Sequence, residues 1–135
     1  MKAPVRNFKL YVAGKWVSEK ESMPVIDKFT GETFANVPVA SRETTERAIR
    51  AAHEAFPAWS RTPAHKRYKI LSNVSRLLEE RQEEIATIIC REAGKAWKYS
   101  MGEVSRSVET YRFSAEEAKR IHGETVPMDA SAAGE

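Results

Sequence analysis

At 135 residues and 15.3 kDa, with 41% hydrophobic residues, the chain has the size of one domain or part of one and can form a modest core. Its 22 Lys and Arg against 19 Asp and Glu leave a net charge of +3, interspersed rather than gathered in a tail, and a single cysteine excludes an internal disulfide framework. No apolar run nears the ~20 residues of a membrane span, and "MKAPVRNFKL" lacks the apolar core of a signal peptide, so the expectation is a soluble, cytoplasmic protein with no membrane partner.

The first forty residues read as strands and turns. In "FKLYVAGKWV", Phe8, Leu10 and Val12 alternate on one face, the pattern breaks at Ala13-Gly14, and Trp16 resumes it, which predicts a short hairpin. A second turn is expected at Thr30-Gly31, separating Val25-Ile26 from "FANVPVA", where Pro38 holds the strand at an edge or ends it.

From Ser41 the period becomes helical. Ser41 is a good N-cap, Glu43 lies in the first turn, and Ala48, Ile49, Ala52, Ala55 and Phe56 form an apolar stripe. Glu43/Arg47, Glu46/Arg50 and Glu116/Arg120 have the favourable order for pairs four apart. Thr62 as cap and Pro63 at the first helical position launch a second helix with Tyr68, Leu71, Val74, Leu77 and Leu78 inward. The acidic "EERQEE" reads as a helix junction or a solvated segment, after which Ile85, Ile88 and Ile89 face inward. The last helix is the most regular, with Trp97, Met101, Val104, Val108, Tyr111, Ala115 and Ala118 in one stripe running to His122, where Gly123 ends it. "ETVPMDASAAGE" reads as a strand start fading into small residues.

Few residue patterns here carry chemistry. The Gly94-Lys95 pair lacks the P-loop glycine, since Ile89 stands there, and Ala96 replaces the hydroxyl residue that would bind magnesium. No G-x-G-x-x-G exists, and Gly94 is read as a left-handed helix cap. Cys90 is either a buried small hydrophobe or a thiol in need of a base, and Arg91, though adjacent, projects elsewhere on a helix. His53, His65 and His122 share no metal-ligand spacing. The basic stretch "AHKRYKI" comes without an aromatic ladder or recognition module, so no nucleic-acid partner is expected.

Taken together, "YVAGKWV", "TGETFANVPVAS", "AIRAAHEAFPAWSRTPAHKRYKIL", "LLEERQEEIATIICREAGKAW" and "GEVSRSVETYRFSAEEAKRIHGETVP" resemble the N-terminal portion of the aldehyde dehydrogenase superfamily, from about Lys9 to Pro127. One departure is Ala96, where the family usually has proline. The resemblance implies an α/β fold of which this segment is mainly helical, with an N-terminal β-hairpin and short strands. Residues 1–122 are then the N-terminal part of the cofactor-binding domain, and residues 123–135 begin an oligomerisation arm. The implied activity is NAD- or NADP-dependent oxidation of an aldehyde to a carboxylic acid by a homo-oligomer. The family's oxyanion-hole asparagine, cofactor-binding segments, general-base glutamate and nucleophilic cysteine all fall after Glu135, so no catalytic or cofactor-binding residue is assigned here and the chain alone is expected to bind no cofactor and be inactive. Arg106 matches an arginine that reaches the substrate tunnel in branches acting on lactaldehyde, phosphonoacetaldehyde or, without phosphorylation, glyceraldehyde 3-phosphate. Its guanidinium offers a permanent charge and a bidentate fork to an anionic group; the plainer reading is an exposed helix cation. Val25, through its carbonyl, and Glu92 correspond to positions that hold a monovalent cation in the family. The alternative to a dehydrogenase segment is a stand-alone helical interaction module, or truncated pseudoenzyme, that pairs with a partner.

Overall fold

Five short strands precede four helices, as the change of period at Ser41 predicts. The computed structural model describes residues 4–130 and residue 132, so the ends of both segments assigned above, 1–3 and 131 with 133–135, lie outside the described residues. Strands β1 (Arg6–Asn7), β4 (Ser22–Ile26) and β5 (Thr33–Pro38) form one sheet in the order β1-β5-β4. The β1 strand runs parallel to β5, with Arg6 opposite Ala35, and β4 runs antiparallel to it. Pro38 is the last residue of the central strand, so its missing N–H costs no ladder bond beyond the strand's end.

The predicted hairpin is β2 (Leu10–Val12) and β3 (Lys15–Val17), closed by Ala13 at φ 51° and Gly14 at φ 79°. Positive φ at both central residues is the twist-matched geometry of a two-residue hairpin turn. Across the strands Tyr11 and Trp16 pair at 5.0 Å between ring centroids, both exposed. Val12 is buried, whereas Phe8, expected on the same face, is half exposed.

Helix α1 (Arg42–Trp59) begins as expected, with the Ser41 hydroxyl accepting from the Thr44 amide at 3.2 Å. Its apolar stripe stays open: Ile49 is 65% and Phe56 63% exposed, and Thr44 is the buried residue of the helix. Glu46 pairs with Arg42 at 2.8 Å instead of Arg50, because both directions along the helix are within reach. Helix α2 (Ala64–Glu80) starts one residue later than predicted, with Pro63 at the cap position and no side-chain bond from Thr62. Proline's extended ψ of 145° turns the chain into the helix, and its carbonyl accepts from Lys66 and Arg67.

The core lies where α2, α3 (Gln82–Ala93) and α4 (Trp97–Glu117) meet. Helices α2 and α4 run antiparallel, for Tyr68 meets Lys119 and the Ser75 hydroxyl donates to the Val108 carbonyl at 3.0 Å. Ala86 and Ser100 are fully enclosed, and Val104, Val108, Ala115 and Ala118 complete the seam. The small side chains let the helix axes approach closely. Leu77 and Ile88, predicted inward, are 40% and 39% exposed. The "EERQEE" junction is Arg81, whose φ of −111° separates two helices that are otherwise continuous. Helix α4 ends at Glu117 rather than at His122; residues 121–127 have no regular structure, and no strand is formed there among the described residues. No helix among the described residues is long and apolar enough to cross a membrane.

Candidate functional site

Between the three-stranded sheet and α3 lies a groove of about 1050 Å³. Met23, Val25 and Val37 line it from the strands, Phe8 from the link after β1, and Ile88 and Glu92 from the helix. Two of the three predicted site residues, Val25 and Glu92, are thus brought to one groove although 67 residues of sequence separate them.

The end of α3 is fastened to the β4–β5 turn. Gly94 adopts φ 68° as the left-handed cap, as predicted, and its amide donates to the Cys90 carbonyl at 3.0 Å. Asp27 opens the turn. One carboxylate oxygen accepts from the amides of Phe29 and Thr30 at 3.0 and 3.2 Å, and the other from Nε of Arg91 at 2.8 Å. Because Arg91 and these amides favour the charged form, in that order of weight for Arg91 and Thr30, the Asp27 carboxyl is held below its usual range. The Lys28 amide donates to the Arg91 carbonyl at 2.9 Å, and the Arg91 guanidinium sits 4.1 Å from the centre of the Phe34 ring. Sequence reasoning missed this cluster. Asp ahead of a Thr-Gly turn is a readable turn signal, but its partner 64 residues away leaves no local trace.

Arg106, the third predicted residue, is on neither the groove nor the core. Val104 and Val108, each two positions away and so about 200° around the helix, are buried against α2 and α3, which leaves Arg106 exposed on the outer face of α4. It has no ion pair among the described residues.

Cys90 is half buried and donates to the Ser100 hydroxyl at 3.2 Å, with no carboxylate or imidazole bonded to it among the described residues. That geometry is a packing contact between α3 and α4. Nor do the described residues contain a cluster of three His, Cys, Asp or Glu able to hold a metal. Val25 and Glu92 offer a main-chain carbonyl and a carboxylate, the hard oxygen donors that fit an alkali cation in type, with further donors required to fill its shell.

The groove is thus walled by a strand layer and an αL-capped helix end docked on it, and the long helix α4 carries its arginine outward. Residues 16–134 match the aldehyde dehydrogenase family, and the chain belongs to it. It is 39% identical over 131 residues to a 3-sulfolactaldehyde dehydrogenase of Priestia aryabhattai, covering 97% of this chain and 27% of that protein. The fold superposes on aldehyde dehydrogenase 21 of Physcomitrella patens, solved with its reaction product succinate, at a TM-score of 0.92 and 35% identity, over 98% of this chain and 28% of the other. The NADP-dependent glyceraldehyde-3-phosphate dehydrogenase of Bacillus halodurans, solved with NADP, gives a TM-score of 0.89 at 34% identity, over 96% and 28% of the two chains. The chain therefore spans little more than a quarter of the length of these relatives.

Proposed function

We propose that this chain is the N-terminal part of a cytoplasmic, homo-oligomeric NAD- or NADP-dependent aldehyde dehydrogenase that oxidises an aldehyde bearing an anionic group to a carboxylic acid. The observation that carries the substrate class is Arg106, exposed and unpaired on the long helix, in a chain whose relatives are named for a sulfonated and a phosphorylated aldehyde or were solved with a dicarboxylate. A guanidinium on this outer face binds and orients the anionic end of the substrate; it moves no proton and takes no part in bond making. The nicotinamide cofactor accepts the hydride in the complete enzyme. Residues 1–122 support the cofactor domain, residues 123–135 begin the assembly arm, and Val25 and Glu92 hold a monovalent cation.

Arg106→Ala in the complete enzyme should raise KM about 10- to 100-fold for a carboxylated or sulfonated aldehyde, the effect of losing a hydrogen bond to a charged group, and change it little for a neutral aldehyde of similar size. Equal effects on both would remove Arg106 from the substrate site. The open face of α1 favours a second reading, a helical module that pairs with a partner. The mass of the native polypeptide separates the two: a species several times heavier than 15.3 kDa supports the dehydrogenase, and one of 15.3 kDa supports the module.

A further inference from the structure

The Gly94-Lys95 pair, which is no phosphate loop, has no task in the proposed reaction, yet its lysine reaches the long helix. Gly94 ends α3 in the left-handed conformation, and the Lys95 carbonyl accepts from the hydroxyl of the enclosed Ser100 at 3.4 Å, so the backbone of Lys95 is held against α4. From there its ammonium bonds the Glu103 carboxylate. Glu103 stands three positions before Arg106, the order in which an acid and a base pair well along a helix. Glu109 stands three positions after Arg106 and accepts from Arg112 at 2.6 Å. Both carboxylates within one turn of Arg106 are thus held by other cations, and Arg106 has no ion pair among the described residues. We propose that Lys95 is a specificity-determining positioning residue: by holding the Glu103 carboxylate it keeps that acid off Arg106 and leaves the guanidinium free for the anionic group of the aldehyde. This rests on the reading of Arg106 given above.

Two features favour that role over an ordinary surface tie. First, Arg106 is the one basic residue within four positions of Glu103 along α4, so a Glu103 released by Lys95 has Arg106 as its nearest helical partner. The two already feel each other: the Glu103 carboxyl is held below its usual range by the Lys95 bond, then by the Lys95 charge, and to a lesser degree by the charge of Arg106. Second, an anion can bind only the fraction of Arg106 that is unpaired, so a neighbouring acid lowers affinity in proportion to the time it spends on the guanidinium. Lys95 suits the task because it comes from outside the helix. Its backbone is fixed by the α3 cap, and its charge meets Glu103 without entering the outer face where Arg106 stands.

The test uses the complete enzyme with succinic semialdehyde and 3-sulfolactaldehyde as anionic probes and pentanal as the neutral one. Lys95→Met should raise KM for the anionic aldehydes about two- to sixfold, the share of Arg106 that an exposed ion pair would occupy, and leave kcat and the pentanal KM unchanged. Lys95→Arg should keep the wild-type values, and Lys95→Met combined with Glu103→Gln should restore them, because the competing carboxylate is gone. In an Arg106→Ala background Lys95→Met should add nothing. Lys95→Gln takes the place of methionine if that variant gives no soluble enzyme. If the rise in KM persisted without Glu103, recurred in the Arg106→Ala background or extended equally to pentanal, the positioning role would be overturned while Arg106 could still bind substrate. No effect of Lys95→Met on any KM would overturn it in the same way. Equal effects of Arg106→Ala on anionic and neutral aldehydes, or no turnover of either anionic probe by the wild type, would overturn the Arg106 reading and the role of Lys95 with it.

Discussion

The bundle of α2, α3 and α4 and the preceding helix α1 are built from similar material and end in opposite states. Both carry apolar stripes at helical spacing. In the bundle the stripe residues Val104, Val108 and Ala115 are at most 3% exposed, although Trp97 and Tyr111 of the same stripe stay 48% and 39% exposed, while in α1 the corresponding Ile49 and Phe56 stay more than 60% exposed. The bundle buries its seam because α2 and α3 return along α4, whereas α1 rests mainly on β2 and shows its large side chains to solvent. Amphipathic spacing states which face seeks burial; only topology states whether something arrives to cover it.

The sharpest way to break this comparison is to truncate one residue in each region. Val104→Ala should destabilise the chain by about 2 kcal/mol, from two lost methyl groups plus the residual cavity. Phe56→Ala should change it by less than about 0.5 kcal/mol, as exposed substitutions do. Urea midpoints at constant slope measure both. In the complete polypeptide the Phe56 effect should rise to about 3 kcal/mol if other parts of the protein cover α1. A Phe56 effect equal to that of Val104 in the 135-residue chain would mean that α1 is already packed in solution.

A smaller effect probes the joint between the strand layer and the bundle. Gly94→Ala places a side chain at φ 68° and 3.1 Å from the Lys28 Cβ, and should cost about 1 kcal/mol from the left-handed backbone alone. Gly102→Ala is its control, since the added Cβ meets nothing within 4 Å on a helix that favours alanine. If Gly94→Ala proved as harmless as Gly102→Ala, the left-handed cap at Gly94, and with it the close approach of turn to helix, would be absent in solution.

Much of this architecture was legible because it is local. The Ala13-Gly14 and Thr30-Gly31 turns, the Ser41 cap, the Gly94 cap and the seam from Val104 to Ala118 each depend on residues within about one or two turns of one another. Long-range facts were not. The open face of α1, the buried hydroxyl of Ser75 bonded 33 residues away and the Asp27–Arg91 pair follow from which elements meet, and polar residues that become buried look like surface residues in a sequence. The end of α4 was misplaced because Ala118 keeps the periodicity after the helical bonds have tightened into turns. Of the site, resemblance supplied Val25, Glu92 and Arg106, and the structure gathered two of them.

The smallest expected effect distinguishes the surface of the bundle from its interior. Lys95, just past α3, pairs with Glu103 on α4, and this bond, followed by the Lys95 charge, holds the Glu103 carboxyl below its usual range, with a lesser contribution from Arg106. A carboxylate with a lowered pKa in the folded state adds stability that is fully present above its unfolded pKa near ~4.3 and disappears as pH falls through the folded value. The stability difference between wild type and Glu103→Gln should therefore be constant from about pH 7 to 5 and shrink below about pH 4.5. Both partners are more than a third exposed, so 1 M salt should also reduce it. The Val104→Ala difference, which contains no charge, should respond to neither change. A Glu103 difference that persisted at pH 3 would show that this carboxyl acts through packing, and the contrast between a screened rim and a dry seam would have to be redrawn.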